Sequence, residues 1–105
     1  MTTYVLVHGA WHGGWCWRRV AGLLRAAGHE VFTPTMTGLG DRAHLASPSI
    51  DLDTQIEDIC AVFETEEIEH AVLCGHSYGG MVITGVADRL ADCISASVYL
   101  DAFMP

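Results

Sequence analysis

The sequence predicts an α/β fold built on a four-stranded parallel sheet. Short apolar segments that are typical of buried strands alternate along the chain with longer segments whose apolar residues recur at helical spacing. The strand-like segments are apolar at successive positions, which indicates that both faces of the sheet are covered. The chain has 105 residues, half of them apolar. We assign residues 1–105 to one domain with a small core.

The first strand and the first helix are predicted within residues 4–28. Residues 4–7 are a short apolar run, and residues 9–14 form a glycine-rich loop. From about Trp15 the apolar residues recur at helical spacing until Gly28 ends the pattern. This stripe consists of Trp17, Val20, Leu23, Leu24 and Ala27. We expect the stripe to face the sheet.

The second strand, residues 30–33, ends at Pro34 and leads into a long polar loop over residues 35–50. Thr54 and Glu57 have the spacing of a capping box at the start of a second helix. The apolar face of this helix consists of Ile56, Ile59, Cys60 and Phe63. We expect this face to pack on the sheet.

The remaining elements are a third strand at residues 71–74, a nearly all-apolar third helix at residues 81–90 and a fourth strand from Ser95 to Leu100. Right-handed crossovers favour a doubly wound sheet with the strand order 2-1-3-4 and helices on both faces. That order places the carboxyl ends of strands one and three side by side. Ligands bind at such a switch point, so we expect the site in the glycine-rich loops that follow these two strands.

The charge and the composition argue against several classes of partner. The formal net charge of −8 disfavours nucleic acid and anionic membrane surfaces, which both require a basic footprint. The first residues lack the basic segment of a signal peptide, and no apolar run reaches membrane-spanning length, so we expect a cytoplasmic protein. The four cysteines are scattered and the histidines lack metal-site spacing. We therefore expect no disulfide framework, no metal and no other cofactor.

A Gly-x-Ser-x-Gly motif spans residues 75–79, with Ser77 at its centre. It follows an apolar strand and opens an apolar helix, which is the context of a nucleophile elbow, and its outer glycines permit the close backbone approach that such a turn requires. Because Ser77 lies at a helix N-terminus, free amides and the helix dipole stabilise developing negative charge there. We predict Ser77 as the nucleophile and the amide of Tyr78 as an oxyanion donor.

The loop after the first strand is predicted to complete this site. Its place at the switch point makes the amide of Ala10 the second oxyanion donor. Gly9 and Trp11 in this loop, and His76 beside the nucleophile, are the predicted binding residues, with Trp11 as part of an apolar wall for an acyl or aromatic group. Trp17 is assigned to the core. The alternative for both glycine-rich segments is that they only join a strand to a helix.

Together the two loop motifs resemble those of the α/β-hydrolase superfamily. The matching segments are VHGAWHGGW at residues 7–15 and GHSYGGM at residues 75–81. The closer similarity is to bacterial esterases related to plant methyl-salicylate esterases and hydroxynitrile lyases, and it extends to AGH at residues 27–29 and DAFMP at residues 101–105. This resemblance implies the nucleophile and the two oxyanion amides named above, with a small ester as the substrate.

The family takes its acid and its histidine from segments beyond the part that this chain resembles, in the order Ser, Asp, His. We therefore expect residues 1–105 to represent the N-terminal part of the fold, without the usual base. Among the six histidines, His12 in the oxyanion loop is the candidate replacement, while His8 and His76 shape the loop and the elbow in the family. Some members place the acid after the fourth strand, which makes Asp101 a candidate to orient a histidine. The alternative for this residue is a solvated or loop-capping carboxylate.

These features predict a serine-hydrolase-type carboxylesterase with a minimal site. One alternative is a non-catalytic, self-assembling part of a hydrolase fold, which would be indifferent to the loss of Ser77. Another is an activity like that of the hydroxynitrile lyases. The fourth strand, from Ser95 to Leu100, carries no Lys or Pro that would protect an open edge. We therefore expect a homo-oligomer that forms through this strand.

Overall fold

All 105 residues are described by the computed structural model, which contains four strands, three α-helices and three short 3-10 turns. The strands are β1 (Thr3–Val7), β2 (Glu30–Phe32), β3 (Ala71–His76) and β4 (Ile94–Leu100). The helices are α1 (Arg18–Ala26), α2 (Leu52–Thr65) and α3 (Gly79–Arg89), and the 3-10 turns are Gly14–Trp17, Gly40–Leu45 and Ala91–Cys93. No helix combines the length and the apolar character that crossing a bilayer requires.

The four strands form one parallel sheet in the order β2-β1-β3-β4, which confirms the predicted topology. Val7 at the end of β1 pairs with Gly75 near the end of β3. The loops that follow these two strands therefore start side by side. β4 is an outer strand that pairs only with β3, and most of its residues are exposed.

Alternate residues of the two central strands face opposite sides of the sheet and enter two separate cores. Val5 and Leu73 belong to the larger core, which α2 and α3 cover. Leu6 and Cys74 belong to the smaller core beneath α1, where burial raises the pKa of the Cys74 thiol. The sheet thus has helices on both faces, and Cys74 is a neutral core residue.

The predicted apolar stripe of α1 is partly wrong. Trp17 is buried and Leu24 packs against the same core, but Val20 is 43% exposed and Leu23 is 73% exposed. The residues before Arg18 form a 3-10 turn, so α-helical periodicity starts only there. The stripe that faces the sheet is consequently centred on Ala21, and part of the outer face of α1 is apolar.

A capping box fixes the start of α2 one turn earlier than the predicted pair. Asp51 is the N-cap: its Oδ1 accepts from Thr54 N at 3.0 Å, and Asp51 N donates to Thr54 Oγ1 at 3.4 Å. The Thr54 N–H in particular holds the pKa of the Asp51 carboxyl below its ordinary value. Glu57, the predicted partner of Thr54, instead pairs with Arg89 of α3, so it links the two helices.

The loop between β2 and α2 is pinned at its start to the rest of the fold. Met36 N–H donates to Nε2 of His8 at 2.9 Å, and both residues are fully buried. Thr37 donates twice to the carboxylate of Asp58, from N at 2.6 Å and from Oγ1 at 2.8 Å. Further along, the predicted loop contains the 3-10 turn Gly40–Leu45. These contacts hold the loop against the carboxyl end of the sheet.

The same contacts fix the protonation state of His8. Its Nε2 accepts the Met36 N–H, so the ring proton lies on Nδ1, which donates to Gly9 O at 2.7 Å. A second proton, on Nε2, would face the Met36 N–H away from water. The pKa of His8 is accordingly lowered, mainly by desolvation.

We predict that the protein loses stability on mild acidification because of His8. The folded-state pKa lies below the unfolded value of about 6.5, so the unfolded chain takes up the proton first. The contribution of His8 is fully present above about pH 6.5 and decreases below it, by at most about 1.4 kcal/mol for each pH unit. Urea unfolding between about pH 7.5 and 5.5 measures this slope.

Two variants test the assignment to His8. His8→Gln cannot titrate and should remove most of the slope. His44 is exposed, so His44→Gln should keep the slope of the parent protein. Equal slopes in all three proteins would contradict the prediction.

Candidate functional site

Ser77 lies on the sharp turn between β3 and α3. Its φ of 55° is in the left-handed region, which residues other than glycine rarely occupy and which persists only where the surroundings impose it. The carbonyl oxygen of Ser77 accepts from Gly80 N at 3.0 Å and from Phe103 N at 3.1 Å. The backbone of the turn is therefore held from two directions.

The turn depends on two glycines that contact backbone atoms directly. A Cβ at Gly75 would lie 2.6 Å from Gly79 O, and a Cβ at Gly79 would lie 2.7 Å from Val7 O. Both distances are well inside normal van der Waals contact. Glycine at these two positions thus lets α3 begin directly against the end of β1, as a nucleophile elbow requires.

The predicted oxyanion donors lie on the two loops that meet at this turn. Neither the amide of Ala10 nor that of Tyr78 donates a hydrogen bond to another backbone group. Gly9 brings the first loop close, since a Cβ there would lie 3.2 Å from Ser77 Cβ. The free N–H of Tyr78 thus lies at the N-terminus of α3, whose dipole favours negative charge, and the free N–H of Ala10 lies on the loop that approaches the serine.

The direction of the Ala10 amide is set through the peptide unit that it shares with Gly9. The Gly9 carbonyl accepts from Nδ1 of His8 at 2.7 Å and from His12 N at 3.2 Å. Because the C=O and the N–H of a planar trans peptide point in opposite directions, these bonds turn the Ala10 N–H away from His8. The buried histidine thus orients the loop without touching the serine.

His12 lies near the serine but is not bonded to it. Its Nδ1 is 3.7 Å from the position of a Cβ on Gly9, the residue that contacts the Ser77 turn. The ring packs at an angle against those of Trp15 and His76, with centroid separations of 5.8 Å and 6.0 Å. The structure therefore brings His12 to the predicted site, although no hydrogen bond joins its ring to Ser77.

His76, a predicted binding residue, faces the α1 side of the sheet. Its ring meets that of Trp17 edge-on, with 6.5 Å between the centroids. Both rings line a cavity of about 290 Å³. The other walls of this cavity are His12, Cys16, Val20 and Leu100. His76 thus borders a side cavity that Ser77 does not line.

Trp11 is 92% exposed, so it does not enclose a pocket. With Ala10 it borders a cleft of about 320 Å³ beside the oxyanion loop. The remaining walls of the cleft are Gly38, Leu39, Gly40 and Ala43. Trp11 therefore forms one side of an open cleft, and the loop before α2 forms the other sides.

Asp101 follows β4 and is exposed, with a φ of 45°. Aspartate is among the residues that tolerate this left-handed conformation. The turn sends the chain back over the elbow, where Phe103 N reaches Ser77 O. The structure thus gives Asp101 a place in a turn and does not bring it into an ion pair with His12.

Sequence analysis missed a buried polar side chain beneath the elbow, that of Gln55 in α2. Gln55 is 7% exposed, its Oε1 accepts from the Tyr78 hydroxyl at 2.5 Å, and its Nε2 donates to Thr37 O at 3.2 Å. Burial raises the pKa of the Tyr78 phenol, which therefore keeps its proton. The available signal was a glutamine four positions before Ile59, within the apolar face of a predicted helix.

The largest cavity, of about 640 Å³, lies at the opposite end of β3 from the serine. Its walls come from the last turns of α2, the loop after α2 with His70 directly before β3, and Leu90 and Cys93 after α3. A strand of this length spans roughly 20 Å. This cavity is therefore remote from Ser77.

We predict that Gly75→Ala disrupts the elbow, whereas Gly22→Ala does not. A methyl group at Gly75 must displace the Gly79 carbonyl, and we expect a loss of about 1–3 kcal/mol or more in the free energy of unfolding. A Cβ at Gly22 in α1 meets nothing within 4 Å, so Gly22→Ala should stabilise the helix by about 0.5–1 kcal/mol. Urea denaturation of both variants measures the two effects, and similar values would refute the packing argument.

Comparison with known proteins gives several extended matches. The chain is 60% identical to a carbendazim hydrolyzing esterase from Nocardioides sp. (strain SG-4G), over 100% of this chain and 43% of that protein. It is 41% identical to methylesterase 2 of Arabidopsis thaliana, over 97% of this chain and 40% of that protein. The chain thus spans about two fifths of the length of these relatives.

Solved structures agree with these matches. An extracellular alpha/beta-hydrolase from a Paenibacillus species superposes with a TM-score of 0.91 and 31% identity, over 100% of this chain and 42% of that one. A methylesterase from Arabidopsis superposes with a TM-score of 0.90 and 33% identity, over 100% of this chain and 45% of that one. Residues 4–105 match the sequence profile of the alpha/beta hydrolase family. With the sheet order, the glycine-packed elbow and this match in agreement, the chain belongs to the alpha/beta hydrolase family.

Proposed function

We propose that the protein is a carboxylesterase that cleaves small esters with Ser77 as the nucleophile. The observation that carries this proposal is a serine on a strained turn at a helix N-terminus, with the free amide of Tyr78 next to it and that of Ala10 on the adjoining loop. The similar proteins support the reaction class, because two of them are named as an esterase and a methylesterase. Because this chain spans only part of those proteins, we propose its activity separately and do not transfer theirs to it.

The proposed reaction has two stages. The Ser77 oxygen attacks the ester carbonyl carbon while a base takes the hydroxyl proton, and the amides of Ala10 and Tyr78 bind the resulting oxyanion. Collapse of this intermediate breaks the bond to the alkoxy oxygen, which takes the proton from the base and leaves as the alcohol. Water then attacks the acyl group on Ser77 by the same route and releases the acid.

We propose His12 as the base within residues 1–105. Its Nδ1 lies 3.7 Å from the Cβ position of Gly9, on the loop that contacts the Ser77 turn. No hydrogen bond joins the imidazole to the serine in this structure, and catalytic hydrogen bonds often tighten only when substrate binds. The rings of Trp15 and His76 limit the other orientations of the imidazole.

The proposed substrates follow from the cleft and from the similar proteins. A cleft of about 320 Å³ beside Ala10, with Leu39 in its wall, suits a small acyl or aryl group. Carbendazim is the first specific substrate to test, because the relative at 60% identity is named for its hydrolysis. Methyl esters are the second class, because other relatives are methylesterases.

The decisive variant for this proposal is Ser77→Ala. We expect the parent protein to hydrolyse p-nitrophenyl acetate and butyrate, and Ser77→Ala to reduce the rate by about 100-fold or more, to the background of free imidazoles and thiols. The turn itself should persist, because its hydrogen bonds at Ser77 involve backbone atoms. Initial rates are followed by the absorbance of p-nitrophenolate. Indistinguishable rates for the two proteins would mean that the serine is not a nucleophile.

His12→Gln tests the proposed base separately. We expect it to lower kcat for the Ser77-dependent reaction, because no other group is proposed to take the hydroxyl proton. His44→Gln, at an exposed position, is the matched control. A Ser77-dependent rate that His12→Gln leaves unchanged would assign the base to another group and would leave the nucleophile proposal intact.

We also propose that two copies of this chain associate through β4. The outer edge of this strand has no partner, and Ser95, Ser97 and Val98 are exposed along it. The segment contains no Lys or Pro, the residues that would oppose pairing of this edge with another strand. Antiparallel pairing of two β4 strands about a two-fold axis would join the two sheets into one.

A lysine in β4 tests this association. Val98 is 43% exposed, so Val98→Lys should preserve the fold and, by charge repulsion across the axis, should weaken self-association by about tenfold or more. Leu23→Lys on the exposed face of α1 makes the same type of change away from β4. Sedimentation velocity at several concentrations measures both variants. A monomeric parent protein, or equal effects of the two lysines, would exclude this interface.

A further inference from the structure

We infer that Gln55 is a positioning residue that sets the directions of both amides in the proposed oxyanion hole. The inference rests on the proposed function, and it concerns a side chain outside the Gly-x-Ser-x-Gly motif and outside the oxyanion loop. Gln55 lies in α2 and is 7% exposed. Two chains of contacts start at its carboxamide, and each leads to one of the two donor loops.

The first chain runs from Gln55 to the elbow. Its Oε1 accepts the hydroxyl proton of Tyr78 at 2.5 Å. Tyr78 is the N-cap of α3, and its own amide is one of the two free N–H groups beside Ser77. A phenol held at its far end restricts rotation of the residue about its backbone. The Tyr78 N–H shares its peptide unit with the Ser77 carbonyl, which Gly80 N and Phe103 N hold. The phenol contact adds a tie from this residue to α2.

The second chain runs from Gln55 to the oxyanion loop. Its Nε2 donates to Thr37 O at 3.2 Å. The preceding residue, Met36, donates its N–H to His8 at 2.9 Å, and His8 donates to Gly9 O at 2.7 Å. The Gly9 carbonyl belongs to the same peptide unit as the second free amide, so its orientation determines where that N–H points.

The second chain passes through Met36 and Thr37, and this dipeptide is itself held in place. Thr37 is held by two hydrogen bonds to Asp58, which lies one turn beyond Gln55 in α2. Met36 is fully buried in the larger core. A displacement of the Gln55 carboxamide is therefore transmitted through a fixed dipeptide rather than absorbed by a flexible loop.

A glutamine suits this position because both halves of its carboxamide are needed together. The carbonyl accepts from the Tyr78 hydroxyl, and the amino group donates to the Thr37 carbonyl. An apolar residue at 55 would leave a part-buried donor on Tyr78 and a part-buried acceptor on Thr37 unpaired. Oxyanion stabilisation depends on donors that are held in advance at the right distance. Loss of the two Gln55 hydrogen bonds should therefore weaken catalysis more than substrate binding.

Gln55→Met tests the proposed link from Gln55 to both loops by measurements that do not depend on activity. Methionine preserves the length of the side chain and removes its strong hydrogen bonds. In amide NMR spectra we expect resonance shifts at Tyr78 and also at Ala10, on the far loop. Exchange of the Met36 amide with solvent should accelerate by about tenfold or more. A shift at Tyr78 with no change at Ala10 or Met36 would overturn the proposed link.

Ile59→Val is the control for a loosened helix. Ile59 is fully buried in the same helix and takes no part in the hydrogen-bond chains. This change removes one methylene group from the core of α2. It should leave the resonances of Ala10 and Tyr78 where they are in the parent protein. Equal shifts in both variants would identify general loosening as the cause and would overturn the inference.

Gln55→Glu provides a reversible version of the test. A protonated carboxyl group accepts from Tyr78 and donates to Thr37, whereas a carboxylate cannot donate. The Ala10 resonance should therefore resemble that of the parent protein at low pH and that of Gln55→Met at high pH. Burial and the nearby Asp58 carboxylate should place the midpoint above the ordinary glutamate value of about 4.3. The other titratable groups beside this pair are Tyr78, which stays protonated, and Asp51, whose carboxylate acts on the Tyr78 phenol. His8 is connected through Met36, and its titration is followed in the parent protein.

Kinetics separate this inference from the proposed function. Where turnover depends on Ser77, Gln55→Met should lower kcat by about tenfold or more with little change in KM. An unchanged kcat would overturn the positioning role. If Ser77→Ala leaves turnover intact, the proposed function fails, and the amide resonances alone decide whether Gln55 holds both loops.

Discussion

The close approach of the β1 and β3 loops is the constraint on which the rest of the structure depends. Gly79 at the start of α3 packs against the Val7 carbonyl, and Gly9 packs against the Ser77 turn. These contacts require that β1 and β3 be neighbours and parallel, because only then do their carboxyl ends coincide. The strand order is therefore a condition of the site. The strained φ of Ser77 is held by the same packing.

The electrostatics of the site come from the backbone rather than from charged side chains. The chain has a formal net charge of −8, which disfavours a further negative charge at most places on its surface. At the N-terminus of α3, however, free amides and the helix dipole favour an anion. His8 orients one of these amides as a neutral, buried ring, so it adds no charge of its own. The local preference for an oxyanion thus arises from fixed dipoles.

Periodicity and glycine placement predicted the sheet order and the turn at Ser77, because each depends on local sequence that leaves few alternatives. The stripe of α1 was misassigned because a 3-10 turn ahead of Arg18 rotates the helix, and no residue type marks that change of period. The capping box was assigned one turn late because Asp51, Thr54 and Glu57 are all chemically suitable. The path of the preceding loop into α2 determines which of these oxygens caps the helix. Local spacing alone does not contain that information.

The connections of Gln55 could not be predicted for a different reason. Its partners, Tyr78 and Thr37, are separated from it by 23 and 18 residues, and they meet only after the sheet and α2 have packed. A polar residue on an apolar helix face indicates that a partner exists without identifying it. The nucleophile turn, by contrast, is encoded within five consecutive residues. The nucleophile can therefore be predicted from the sequence. The groups that fix its geometry lie on helices and loops whose sequence patterns indicate only packing in the core.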